Sequence, residues 1–270
     1  MKFENIRVSN FENAFRGMRN PKDSWYLSDS QFGFCSENDF MNASLNLADK
    51  WIIEKDPSWG NNHFPSKEQM ELYRETIKWV QSNSILAKDK NIYEYVFIGP
   101  KDMKLAQTLI MAGSEHRKFM RQIFISVDIT APIYWWKEMS TYKVATTANS
   151  TSTMHTLQNK PITKECFEIG DYDPTVEKEF VTMGAVDFII NYCEWLRKKY
   201  VATNDMKYWK ELVRWLPESW LQKRTWTANY ETMLRICSKG QRRNHKLTEW
   251  SVDFMNFAKQ LPYASELIFI

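Results

Sequence analysis

Ten consecutive residues, 146–155 (TTANSTSTMH), carry six hydroxyls, one amide and one imidazole. That is more hydrogen-bonding capacity than a plain connection needs, and it suits the grip of a polar ligand; the other reading is a turn-rich surface loop. Upstream, His116 beside Arg117 and Lys118 is either a ligand contact or part of a solvated turn. Trp135 and Trp136 offer ring faces for stacking, although an aromatic pair on a helix more often belongs to the core. Downstream, Arg242, Arg243, His245 and Lys246 form a basic cluster, readable as an anion site or a solvated face. The four histidines (His63, His116, His155, His245) lie far apart, without metal-ligand spacing, so no metal is expected. No phosphate-cradling glycine loop, HExxH or G-x-S-x-G occurs, and nothing local supports a serine or cysteine nucleophile.

These groups need elements to position them. Ile123, Ile125, Val127 and Ile129 alternate with polar residues, which predicts a strand with one core face. Pro132 fits the first position of an aromatic helix, where its missing N–H costs nothing. Ser36 is an N-cap for a helix over 37–50, and Ser66 with Gln69 forms a capping box opening a helix that runs to about Ser84. A helix over 101–112 ends at Gly113, a natural left-handed cap. The longest helical pattern covers 176–200, with Met183, Val186, Ile189, Ile190, Cys193 and Leu196 on its apolar side. The break at Leu216-Pro217 precedes a helix to about Ser238, closed by Gly240, and a last helix occupies 247–260. Residues 158–175, rich in Pro, Lys, Asp and Glu, form a linker or excursion. The economical organisation is one α+β domain over 1–270, helix-rich with a small central antiparallel sheet.

Composition narrows the class. At 270 residues, 43% hydrophobic and 15% aromatic, with 12 Trp, the chain buries a substantial core and disorder is excluded. A net charge of +3 does not by itself announce a nucleic-acid binder. Four scattered cysteines without a CxxC pair, no apolar leader and no run approaching the roughly 20 residues of a membrane span predict a reduced, cytoplasmic protein with free thiols.

Two segments resemble the flavin-dependent thymidylate synthases, and together they cover roughly residues 100–260. In the first, Gly113-Ser114-Glu115-His116 precedes the strand, and Ala131-Pro132-Ile133 matches the family's strand-to-helix step. Tyr142 and Lys143 fall where that family places the His and last Arg of an Arg-His-Arg triplet. Thr146, Asn149, Ser150 and Ser152 follow its Ser, Asn, Glu and Ser, leaving Met154 or His155 for a final Arg. In the second, Leu216, Pro217, Trp226, Thr227 and Asn229 are in register, with Lys223 or Arg224 as the spacer's basic residue. Arg242, Arg243, His245, Glu249 and Trp250 follow in family order.

The resemblance implies a divergent, phage-type homologue that reductively methylates deoxyuridylate or a related pyrimidine nucleotide. It implies FAD as cofactor, methylenetetrahydrofolate and NADPH as co-substrates, and a cytoplasmic homotetramer (in a host's cytoplasm if phage-encoded). His116, Tyr142, Lys143, Thr146 and Asn149 would lie at the flavin. Ser150, Ser152, His155, Arg224, Arg242, Arg243 and His245 would lie at the nucleotide. The first hundred residues are divergent, and the segment Ala14-Phe15-Arg16-Gly17-Met18-Arg19 there is a candidate for a further phosphate contact. Two departures bear on activity. Thr141-Tyr142-Lys143 keeps a ring and a point charge but lacks the bidentate fork of arginine, and Ser150 replaces a carboxylate. They motivate the alternative of a catalytically inactive descendant that binds a nucleotide or a protein partner.

Overall fold

The computed structural model describes residues 1–61, 64–180, 184–237 and 242–270, the side chains of 61 and 178–180 excepted. The chain opens with β1 (Lys2–Ser9), α1 (Phe11–Arg19), β2 (Gln31–Ser36), α2 (Glu37–Lys55) and α3 (Lys67–Ser84). There follow β3 (Ile85–Asp89), β4 (Ile92–Phe97), α4 (Pro100–Met111), β5 (Phe124–Pro132), α5 (Ile133–Met139), β6 (Thr147–Ser150) and α6 (Thr153–Thr156). The last part holds α7 (Pro174–Phe180), α8 (Ala185–Thr203), α9 (Met206–Trp215), β7 (Leu221–Asn229), α10 (Tyr230–Cys237), α11 (Met255–Lys259) and α12 (Ala264–Leu267). Among the described residues the strands form two small sheets, ordered β1-β5-β7-β6 and β2-β4-β3, and helix dominates, in line with the helix-rich α+β class expected.

Two compact units emerge. The first takes Met1–Glu4, Asp128–Lys143 and Thr147–Trp226; the second takes Asn5–Val127, Val144–Thr146 and Thr227–Ile270.

In the second unit, local signals act as the sequence predicts. The Ser36 hydroxyl accepts the Asp39 N–H at 3.2 Å and starts α2. Both bonds of the Ser66–Gln69 capping box are made at the head of α3. Gly113, at φ 109°, follows α4 in a conformation that side chains rarely adopt. β2 pairs antiparallel with β4 from Gln31↔Phe97 to Ser36↔Ile92, and β3 returns on the other edge. α2 and α3 close over this sheet around Phe40, Leu47, Ala48, Val80, Tyr93 and Phe97, with the Phe40 ring stacked 4.9 Å from Tyr93. Ile123, Ile125 and Val127 are all buried, so the alternation marks a true core face. Arg19 is not a surface cation: its Nε donates to Asp102 Oδ1 at 2.6 Å inside the unit.

The first unit is built on the α8–α9 hairpin, closed by Asn204 in the left-handed region and capped by Asp205, which accepts the Lys207 N–H. Leu157, Ile162, Phe167, Ile190, Cys193, Leu196 and Leu212 form its core.

Four predicted elements differ. Pro132 ends β5 with extended ψ 154° and caps α5 rather than starting it; the first helical N–H groups, of Ile133 and Tyr134, bond the Trp220 and Glu218 carbonyls. The helix over 176–200 is two elements, because Gly184 is extended (ψ 97°) and Glu177 accepts the Val186 N–H at 3.1 Å. Ile189 lies off the buried face of α8, and Met183 falls outside the described residues. The helix after Pro217 is largely strand: 221–229 forms β7, and only Tyr230–Cys237 is helical, with Ser238 and Gly240 outside the described residues. The last predicted helix begins with a wider π-type turn over Glu249–Phe254 before α11.

Candidate functional site

In the first unit, the period-2 geometry of β7 sorts its side chains onto two faces. Lys223 and Thr225 share one face, where Lys223 Nζ meets Glu4 at 3.2 Å and Asp128 at 3.5 Å, and the Thr225 hydroxyl donates to Asp128 at 2.6 Å. Gln222, Arg224 and Trp226 take the other. The Arg224 guanidinium lies 4.4 Å from the centre of the Trp136 ring, and its Nε donates to Gln222 Oε1 at 3.0 Å. The Trp136 indole N–H donates to the Gln222 carbonyl at 3.0 Å, so ring and cation share one anchor. Burial lowers the Arg224 pKa from its ordinary value, and no carboxylate pairs with it among the described residues. A partly buried cation without a counter-charge has the chemistry to receive an anion.

Gln222 also ties this arrangement to the polar segment. Its Nε2 donates to the Thr151 carbonyl at 2.9 Å, and Thr151 N–H donates to Lys223 O at 2.9 Å. The segment is therefore strand β6 and the short turn α6, not a free loop. All four β6 residues, Asn149 and Ser150 among them, are exposed. Ser152 caps α6, its hydroxyl accepting the His155 N–H at 3.3 Å. The side chains of Lys143, Asn149, Ser150 and His155 are uncommitted among the described residues. Tyr142 closes the turn after α5, its N–H on Met139 O at 3.1 Å. Trp135 and Trp136 are both buried, so the core reading holds, with one Trp136 face given to Arg224.

The second unit holds the remaining candidates. His116 is exposed, in the turn after α4 with its N–H on Gly113 O at 3.0 Å. Thr146 sits beside Ala145, a non-glycine residue at φ 57°. Arg242 is buried with its guanidinium 4.3 Å from the Trp250 ring centre, while His245 Nδ1 accepts the Leu247 N–H at 3.1 Å. Arg243 donates to the Cys237 carbonyl and lies 4.9 Å from the Phe269 ring centre. The 242–246 cluster is thus partly structural, with Arg242 and Arg243 laid on rings rather than projecting.

The same unit contains a cleft of about 370 Å³ whose polar lining is Arg7, Ser9, Ser126, Thr227 and Asn229. Arg7, Ser9 and Ser126 carry no sequence pattern that points to it. Thr227 and Asn229 belong to the second segment, where a helix is expected; β7 instead sets them two residues apart on one strand beside this cleft. Gln222 was likewise missed; as a neutral side chain it shows its part only through its bonds. No cluster of three or more His, Cys, Asp or Glu forms among the described residues, and none of their helices is long and apolar enough to cross a membrane.

No family model matches the chain, and no curated protein matches it. Among solved structures, the chain is similar to the flavin-dependent thymidylate synthase ThyX from Helicobacter pylori complexed with FAD and dUMP (TM-score 0.46, 17% identity, 64% of this chain and 85% of that one). A further structure of ThyX from Helicobacter pylori with FAD and dUMP has TM-score 0.45 and 14% identity, covering 89% of this chain and 97% of that one. The UMP/dUMP methylase PolB from Streptomyces cacaoi bound with 5-Br UMP has TM-score 0.43 and 12% identity, covering 63% and 85%. The first two bear the name of the family that the sequence segments resemble.

Proposed function

We propose that the chain binds the phosphate of a pyrimidine deoxynucleotide at Arg224 and β6, and acts on the base as a thymidylate synthase-like enzyme. The observation that carries this is Arg224 itself: partly buried, held by Gln222 over Trp136, and without a carboxylate partner among the described residues. Its planar fork supplies the bidentate phosphate grip that Thr141-Tyr142-Lys143 lacks. Asn149, Ser150, Ser152 and His155 add hydrogen-bonding groups on β6, which neighbours β7, and on α6 after it. In the second unit, Arg242, Arg243 and His245 are the other residues we assign to the nucleotide.

The donor set of the first unit also fits a flavin nucleotide. Lys143 offers an uncommitted ammonium, Tyr142 a ring, and Asn149 an amide with both donor and acceptor. In the second unit, His116 and Thr146 are the residues we assign to the flavin. Bound FAD would supply hydride transfer, with methylenetetrahydrofolate as the one-carbon donor and NADPH as reductant. The chain's own part is to bind, orient and neutralise charge, and no protein nucleophile is required. A cytoplasmic homotetramer, in a host's cytoplasm if the chain is phage-encoded, is part of the same proposal.

The test is a visible absorption spectrum after mixing with FAD and desalting, with calorimetry of deoxyuridylate on the wild type and Arg224→Ala. Retained flavin bands, and nucleotide binding lost in the variant, support the proposal. A colourless protein that still binds deoxyuridylate through Arg224 supports the inactive descendant. Nucleotide binding unchanged in Arg224→Ala overturns the site.

A further inference from the structure

A second cleft, of about 630 Å³, lies wholly in the first unit and shares no residue with the Arg224 site. Its walls are Phe188, Ile189 and Tyr192 of α8, Arg214 and Trp215 at the end of α9, and Leu216-Pro217-Glu218 after it, the Glu218 carboxylate being paired with Lys137 at 2.5 Å. Phe188 and Trp215 are 64% and 58% exposed, a large apolar display around one depression. A folded chain gains nothing from that display in water, and such patches mark binding sites.

The rings are also ordered. Phe188 and Tyr192 are parallel within 5° at 6.4 Å, and Tyr192 and Trp195 within 14° at 6.1 Å. At the rim, one carboxylate organises both remaining groups: Glu211 accepts the Trp215 indole N–H at 3.1 Å and pairs with Arg214. Arg214 uses only Nη1 in that pair, so the rest of its guanidinium edge is uncommitted among the described residues. An exposed tryptophan and an exposed arginine thus stand together at the rim of the cleft, tied by one carboxylate. Holding them costs side-chain entropy, which is consistent with preorganisation for a ligand.

We propose that this cleft binds a purine-class bicyclic ring bearing an anionic group, the ring lying against Tyr192 and Trp215 and the anion on Arg214. The volume lies within the range of sites for small ligands and cofactors. Flat aromatic walls select a planar ring by stacking, and a guanidinium with free N–H donors selects a phosphate or carboxylate. The assignment stands independently of the Arg224 site, since different side chains carry it.

The test is calorimetry on the full chain with 5′-GMP, guanosine and inorganic phosphate as probes. 5′-GMP is expected to bind saturably, at least about tenfold more weakly in Arg214→Gln, and undetectably in Trp215→Ala. Guanosine is expected to bind more weakly than 5′-GMP and to ignore Arg214→Gln. Trp215→Phe keeps a ring and should retain binding, which guards against a misfolded alanine variant; circular dichroism checks each. Arg224→Ala should leave 5′-GMP binding intact, so failure here and failure of the deoxyuridylate site are distinguishable. No saturable heat with 5′-GMP, or equal binding in Trp215→Ala, overturns the proposal. So does concentration-dependent association of the wild type that Trp215→Ala abolishes without any 5′-GMP binding, which would make a second copy of the chain the occupant.

Discussion

The Arg224 guanidinium lies 4.4 Å from the centre of the Trp136 ring, and Gln222 bonds both residues, one through its side chain and one through its backbone. A ring face under a guanidinium stabilises the cation without occupying its N–H edge. The arrangement therefore leaves Arg224 charged, positioned and open to an anion.

Arg224→Lys should weaken deoxyuridylate binding by at least about tenfold, or about 1.4 kcal/mol, because a point charge cannot reproduce the planar fork or its stack on Trp136. Lys223→Ala should have less effect, since Lys223 is engaged by Glu4 and Asp128 on the opposite face of β7. Calorimetry of both variants checks the pair; a larger loss in the Lys223 variant would reverse the assignment.

Asp102 meets Arg19 through Oδ1 at 2.6 Å and receives the Ser28 and Ser30 hydroxyls on Oδ2 at 2.5 and 2.6 Å, all within the second unit. Removing one member of a buried pair strands the other charge, at a cost of about 3–5 kcal/mol. Asp102→Ala should therefore lower the midpoint of thermal unfolding sharply, and Arg19→Met in the same chain should recover part of the loss. A melt unchanged in the single variant would show that the pair contributes nothing.

Gly99 precedes α4, where Asp29 accepts the Lys101 and Asp102 N–H groups at 3.0 and 3.1 Å. A Cβ at position 99 would stand 2.2 Å from Asp29 Cγ and 2.6 Å from its backbone oxygen. The backbone there is ordinary, at φ −75°, so the constraint is space rather than conformation. Gly99→Ala should destabilise by about 1–3 kcal/mol through this overlap. Denaturant unfolding measures it.

Burial pushes the Cys193 thiol from 9.0 up to about 11 and the Cys237 thiol to about 12. Burial likewise raises the Tyr263 hydroxyl from 10.0 to about 12. Each group is held neutral in the fold, so its stabilisation is complete below the unfolded pKa of about 9–10 and is lost as pH rises toward the folded value. Unfolding free energy should fall between about pH 9 and pH 12. At pH 8, a thiol reagent should modify the partly exposed Cys35 and Cys166 in the folded protein, and Cys193 and Cys237 only on unfolding. Fast modification of all four would contradict the burial.

Local chemistry was legible where it is local. The Ser36 cap, the Ser66–Gln69 box, the Gly113 turn and the buried alternation of 123–129 involve residues within a few positions of one another, and the structure forms each of them. Trp135 and Trp136 went to the core by size and hydrophobicity alone.

What the sequence left open turned on partners remote in the chain. The break at Pro217 predicts a helix through 221–229, and pairing with β5 and β6 makes the segment a strand instead. That choice separates Lys223 from Arg224, which no spacing argument could do: adjacent residues of a strand face opposite ways. Lys223 is then neutralised by Glu4 and Asp128, while Arg224 is laid on Trp136 with its charge unspent. The sequence by itself determined which side chains have the chemistry to hold a phosphate. Only the tertiary structure decided which of them is free to do so, because a cation's availability depends on the carboxylates that distant segments bring beside it.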